Sequence, residues 1–272
     1  KFIEQTTGES IDPDNLPHPN TRGNARVAAA WELLRAGRTA GIFQMESGGM
    51  ANLARLIQPE TLSDLSAVVA LFRPGPLGEG MHLMYADRKS GAQQVSYAQW
   101  TSDPAEAEAI NSVLGETYGV FVYQEQLMRL GTVVGGFDVA MRSKLRKAVG
   151  KKIKSEMELV GEALIEGAPK ETRDPITGEV ISMAFSRQTA SKLYESMKYS
   201  AAYLFNASHS FAYAQLAYVT AYLKANWPAE YGAAILAMTD DDEKRQSALR
   251  ALAEEGIDVQ APDVNRSHAG TY

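Results

Sequence analysis

The 272-residue chain contains no cysteine, which excludes disulfide staples and thiolate zinc centres. It has no run of about 18 consecutive apolar residues, so no segment is suited to cross a membrane as a helix. Histidine is scarce, and the four present, His18, His82, His209 and His268, lack metal-ligand spacing. Asp12-Pro-Asp14-Asn15 begins like a calcium loop but lacks its glycine and terminal glutamate. The glycines after Arg73 are not followed by the Gly-Lys-Ser/Thr of a phosphate-binding loop. Ser47 sits in Glu-Ser-Gly-Gly, not in a Gly-x-Ser-x-Gly nucleophile elbow. No catalytic constellation can be assembled from these residues. An excess of positive charge is absent too: 27 Lys and Arg face 33 Asp and Glu, a net charge of −6. That balance, averaged over the chain, argues against a nucleic-acid partner.

The composition is 45% hydrophobic and 22% charged, that of a globular chain long enough for one large or two ordinary domains. The pattern is mainly α. Residues Lys1 to Arg26, rich in Pro, Asn, Gly and Thr, read as an irregular arm. Helical periodicity starts near Val27, with Gly37 as a C-cap. Ala40 to Met45 fits either a strand or a buried turn. Helices are expected over Gly48–Leu56 and Thr61–Leu71, and Arg73-Pro-Gly-Pro should stop the second. VYQEQLMRLGTVVGG and Phe137–Val149 also read as helical, the latter ending at Gly150. DPITGEV suggests a loop or small hairpin. A long helix is expected over about Ser208–Asn226, and DDDEKRQSALRALAEEG forms another with an acidic first turn.

One segment departs from the average charge. RSKLRKAVGKKIK holds seven cations in thirteen residues: Arg142, Lys144, Arg146, Lys147, Lys151, Lys152 and Lys154. Without it the remaining residues sum to −13. On a helix, Met141, Leu145 and Val149 share one face while Arg142 and Arg146 share another. Crowded like charges repel, so a polyanion bound there relieves a cost. The alternative is a solvated face paired with acids elsewhere in the fold. A second segment, FNASHSFAY, places Asn206 or Ser208 as a helix cap beside His209, an arrangement suited to an anion. Taken alone, it reads more simply as an ordinary capped helix with a hydrogen-bonded histidine and a buried aromatic stripe. In ALFRPGPLGEGM, Arg73 precedes a rigid turn that either fixes a cation or merely joins two helices.

Eight blocks in order carry a resemblance: GIFQMESGGM, ALFRPGPLGEGM, Asp87-Arg88-Lys89, TYGVFVYQEQLM, LRKAVGKK, FNASHSFAY, LKANWPAEY and APDVN (Ala261 to Asn265). Together they resemble the fingers region of the bacterial replicative DNA polymerase III alpha subunits, the C-family polymerases. The resemblance implies an irregular multi-helix fingers domain over residues 39–265, with a few short strands or a small hairpin. Residues 1–38 would be a linker from the palm plus a first helix, and 266–272 the start of a connection to the following region. It implies that Arg146 and Lys147 lie by the triphosphate of an incoming dNTP, followed by Lys151 and Lys152. Asn206, Ser208 and His209 would stand nearby, with Arg73, Arg142 and Gln124 as further candidates. The family usually has lysine where this chain has Ala207.

No catalytic residue is assigned, because nothing here matches the acidic motifs of the palm. Two magnesium ions are expected on palm carboxylates outside this chain, with no cofactor or metal in this segment. The chain begins with Lys1 and not Met, and is expected to be a segment of a longer protein, inactive by itself but part of a DNA-directed DNA polymerase (a nucleotidyltransferase). The implied partners are primer-template DNA, dNTP, other domains of the same chain and replisome subunits. No membrane is implied, and the location is the cytoplasm. Two alternatives are the fingers of a divergent phage, plasmid or lesion-bypass paralogue, and a non-catalytic protein-interaction module.

Overall fold

Capping side chains start eight of the fourteen α-helices among the described residues. The computed structural model of the protein describes residues 1–174, 176–261 and 263. Most of the APDVN block and the expected connection at 266–272 therefore lie outside the described residues. The chain opens with a short helix, α1 (Phe2–Thr7), where an irregular arm was expected. Six residues offer too little periodicity to be read. A distant contact, Thr6 Oγ1 donating to Glu230 at 2.6 Å, holds this helix. Asn24 accepts from the N–H groups of Arg26 and Val27 and starts α2 (Ala25–Arg35), and Ser47 caps α3 (Gly48–Ile57). Between them, residues 40–45 form a turn and not a strand, with Ile42 and Met45 fully covered, Phe43 and Gln44 exposed, and Gln44 at φ 62°.

After α4 (Leu62–Leu71), Arg73-Pro-Gly-Pro does more than stop a helix. Pro74 occupies the first position of a new one, α5 (Pro74–Gly78), where its missing N–H costs nothing. Then follow α6 (Met81–Ser90), α7 (Pro104–Leu114), α8 (Gln124–Gly135), α9 (Val139–Lys151) and α10 (Lys154–Gly167). The DPITGEV region is a hairpin of β1 (Thr172–Arg173) and β2 (Val180–Ser182), antiparallel with Thr172 opposite Ser182. Its turn is fixed by the Asp174 carboxylate, which accepts from the N–H groups of Ile176 and Thr177 at 2.8 Å each. The chain ends with α11 (Arg187–Ser200), α12 (Ala207–Asn226), α13 (Pro228–Ala237) and α14 (Asp242–Glu254). The mainly α reading with one small hairpin is what the structure shows.

Packing divides the chain into two compact units. The first joins Lys1–Val69 to the described residues from Phe211 onward. At its centre lies Lys224, only 5% exposed. Each of its three donors has an acceptor: the Arg38 carbonyl at 3.0 Å, the Ala40 carbonyl at 2.8 Å and Glu255 Oε1 at 2.6 Å. A buried ammonium is tolerable only with such complete pairing.

The second unit, Ala70–Ser210, is built largely from α7 to α11 around Ile110, Leu114, Leu127, Leu130, Leu145, Leu164 and Leu193. Gly161 lets α10 approach α11: a Cβ there would stand 2.2 Å from Tyr194 Cζ. The polar knot of this unit is Glu106, 5% exposed on α7. It accepts from the Thr101 hydroxyl, the Ser186 N–H and the Thr189 hydroxyl, the last at 2.6 Å. It thereby ties α7 to the start of α11. Glu106→Ala strands those three donors, and urea denaturation should show a loss of about 2–4 kcal/mol. A loss within a few tenths of a kcal/mol would mean the knot is dispensable.

Candidate functional site

The cation-dense segment forms α9 and the start of α10. Asp138 caps α9, accepting from the Met141 N–H at 2.8 Å. Leu145, Ala148 and Val149 are buried, and Met141 packs beside them, so the apolar stripe faces the core of the second unit. All seven cations are exposed. At 100° per residue, Arg142 and Arg146 lie along one flank of the helix, and Lys144, Lys147 and Lys151 along the other. Lys147 pairs with Glu156 at 2.7 Å. The other six have no ion pair among the described residues.

The helix does not end where glycine suggested. Gly150 lies inside α9 with ordinary helical geometry, and Lys152 takes the left-handed position at φ 54° and ψ 41°. Glycine inside a helix costs about 1 kcal/mol relative to alanine, yet a Cβ at Gly150 would meet nothing within 4 Å. Packing within the domain therefore gives no reason for it.

The second predicted group sits where two helices begin together. Tyr123 and Phe205 form a parallel bridge, in which the Phe205 N–H donates to the Val122 carbonyl and the Gln124 N–H to the Phe205 carbonyl, each at 2.9 Å. This sets the N-terminus of α8 beside that of α12. Gln126 reaches back to accept from the N–H groups of Val122 and Tyr123, and donates to the Thr117 hydroxyl. Asn206 caps α12, accepting from the His209 N–H at 2.9 Å.

Sequence reasoning missed Glu125. Its carboxylate accepts from the Asn206 amide at 3.1 Å and from the Ala207 N–H at 3.0 Å. The anion-binding end of α12 thus already holds a carboxylate of the same chain, where the dipole favours one. An acidic residue in the first turn of α8 was the available signal, but its partner is 81 residues away. Ser208 and His209 are exposed, Gln124 is half-buried, and the His209 ring lies 5.6 Å from that of Phe205.

Arg73 belongs to the same neighbourhood. Its Nε donates to the Ala70 carbonyl and its terminal nitrogen to the Tyr203 carbonyl, each at 2.8 Å, while the guanidinium lies 4.5 Å above the Phe205 ring. Partial burial pulls its pKa below the usual arginine value. Arg73 so braces the strand-like approach to α12. Next to it, the hydroxyls of Tyr199 and Tyr203 both donate to Glu79. The structure thus groups Arg73, Gln124 and Asn206 around the bridge, with Ser208 and His209 in the first turn of α12. The α9 cations lie on a separate element. Among the described residues, no group of three or more His, Asp or Glu is placed to hold a metal ion, and no helix is long and apolar enough to cross a membrane.

A helical domain with one cation-dense helix is the class that this geometry defines. The sequence pattern described as the bacterial DNA polymerase III alpha subunit finger domain matches residues 1–172. Proteins named DNA polymerase III subunit alpha are similar over nearly the whole chain. That of Aquifex aeolicus is 37% identical over 270 residues, 99% of this chain and 21% of its own length. That of Mycobacterium tuberculosis is 39% identical over 266 residues, 97% of this chain and 20% of its own. That of Escherichia coli K12 is 36% identical over 239 residues, 87% of this chain and 19% of its own. The chain belongs to the bacterial DNA polymerase III alpha subunit finger domain family, and spans about a fifth of the length of these relatives.

The Glu79 clamp gives a pH signature. Hydrogen bonding to Glu79 pushes the Tyr199 phenol up to about 12. The folded-state value is raised, so the contribution is complete below the unfolded value of about 10 and lost as pH rises through about 12. In an alkaline absorbance titration, Tyr199→Phe should remove one of the late phenols, leaving those of Tyr218 and Tyr231, which burial also pushes up to about 12. An unchanged late phase would show that the clamp is open in solution.

Proposed function

We propose that this domain faces the triphosphate of an incoming deoxynucleotide and the phosphates of primer-template DNA in a bacterial replicative DNA polymerase. The observation that carries the reading is the layout of α9 and the start of α10, where the apolar stripe is anchored in the core while six cations without an ion pair among the described residues project to solvent. Arg146 supplies a planar fork for phosphate oxygens, and Arg142 extends the same flank. Lys151 and Lys152 act as point charges. Lys147 is held back by its pair with Glu156, whose carboxylate is half-buried with one oxygen lacking any other partner, so it is less free to meet a phosphate than the other six. Gly150 keeps the exposed side of α9 low, so that another molecule's backbone can come close.

At the bridge, the Glu125 carboxylate repels a phosphate from the end of α12. Asn206, Ser208, His209 and Gln124 therefore take the role of positioning a base or sugar, with Arg73 bracing them. In the transfer itself this domain contributes alignment and charge stabilisation. Two-metal chemistry is assigned to carboxylates elsewhere in the full-length enzyme, as are the contacts with replisome subunits, and the location is the cytoplasm. A second reading is a divergent C-family paralogue, favoured by Ala207, which stands where lysine is usual and gives its N–H to Glu125.

In the full-length polymerase, Arg146→Ala should raise KM for dNTP or lower kcat by about tenfold, the effect of one charge-assisted contact. Kinetics matching wild type would remove the assignment. Gly150→Ala separates fold from function: thermal unfolding should show a gain of about 0.5–1 kcal/mol, while affinity for primer-template falls. A gain in stability with affinity untouched would mean that nothing approaches this glycine.

A further inference from the structure

The junction between α9 and α10 borders an open cleft of about 440 Å³, lined in part by the end of the LRKAVGKK block. Its floor is apolar, formed by Ala148, Val149, Ile153, Met157, Ala201 and Ala202. Its rim carries Lys152 and Lys154, joined by Lys198 from α11, and the single acid Glu158. Lys198 stands 5.9 Å above the Tyr194 ring, with its ammonium exposed. The first turn of α10 adds donors, because its cap is Ile153, which has no side-chain acceptor for the N–H groups beyond it. The seven sequence cations are thus divided by the fold. Arg142 and Arg146 lie along a convex flank, whereas Lys152 and Lys154 border a cleft with an apolar floor, where a third lysine joins from 44 residues further along.

We infer that this cleft is a nucleoside-phosphate site, the base lying on the apolar floor and the phosphate held by Lys152, Lys154 and Lys198. The inference rests on the phosphate-facing reading of α9 and adds a pocket and a residue to it. A bare inorganic anion would gain nothing from the apolar floor, and an apolar ligand nothing from three ammonium groups. A nucleotide has both parts, and the volume lies within the range that encloses one small ligand. Two sources supply that chemistry: a free deoxynucleoside triphosphate, or an unpaired nucleotide of a DNA strand. Base contact with the floor is sequence-tolerant, since none of the lining side chains of the floor can read a hydrogen-bonding edge.

The test uses the 272-residue chain at low salt with three probes: a fluorescent etheno-deoxyadenosine triphosphate, a single-stranded oligonucleotide carrying 2-aminopurine, and tripolyphosphate as a competitor with no base. Lys198→Met should weaken binding of a nucleoside probe about threefold to fivefold, the effect of one exposed charge. Ala202→Trp, which fills the cleft without altering charge, should weaken it by roughly tenfold or more. Tripolyphosphate should compete less well than either nucleoside probe. Whichever probe binds more tightly identifies the source, and either result supports the site. Full affinity in both variants while Arg146→Ala binds poorly overturns the pocket and leaves the phosphate-facing reading standing. Wild type binding no probe, or all three variants binding as wild type does, overturns both. Tripolyphosphate competing as well as the nucleoside probes overturns the base-binding floor. Lys198 is exposed, so its variant keeps the test decisive if Ala202→Trp does not fold.

Discussion

Two backbone hydrogen bonds, those of the Tyr123–Phe205 bridge, fix the part of the second unit on which the candidate site depends. They place two helix starts side by side, and therefore two ends of like partial charge. Such an arrangement needs negative charge or hydrogen-bond acceptors nearby. Glu125 supplies the charge and Gln126 the acceptor, from consecutive positions of one helix. The remaining contacts follow outward. Phe205, held by the bridge, receives the Arg73 guanidinium on its face. Arg73 in turn holds the Tyr203 carbonyl, and the Tyr203 hydroxyl reaches Glu79. A chain of polar contacts thus runs from the start of α12 back to the segment after α5.

On α9 the same residues serve two opposed demands. A thirteen-residue helix must bury enough apolar surface to stay folded while carrying cations that repel each other. Burial of Leu145, Ala148 and Val149 does the first, and full exposure of the charged side chains keeps the second affordable, since water screens them. A net charge of −6 therefore describes no particular face of this molecule. The field at a surface is set by the charges within about a Debye length, roughly 10 Å.

Much of this was legible from sequence. The helices that start at Asn24, Ser47, Asp138 and Asp241 were found within a few residues from their periodicity, although the caps themselves went unnamed. The density of cations on α9, with leucine and valine at helical spacing beneath it, was equally local. What escaped was non-local or positional. The α12 start looked like a vacant anion site because Glu125 lies far away in sequence. Gly150 looked like a terminator because glycine usually is one, whereas Lys152 accepts the left-handed conformation. The cleft at the α9–α10 junction could not be read, since Lys198 reaches it only through the packing of α11 on α10.

Lys224 ties the first unit to the order in which the chain is made. Its carbonyl acceptors lie 184 and 186 residues earlier, on the far side of the entire second unit. On a ribosome, the residues up to Val69 emerge without the ammonium that their carbonyls at Arg38 and Ala40 require. The second unit, contiguous from Ala70 to Ser210, has all its parts first. At about 5–20 residues per second, the earlier segment waits on the order of ten seconds for α12 to α14 to arrive. During that interval its apolar residues, Ile42 and Met45 among them, have no finished core to enter. Of the two units, the one whose residues begin to appear earlier is thus the one completed later.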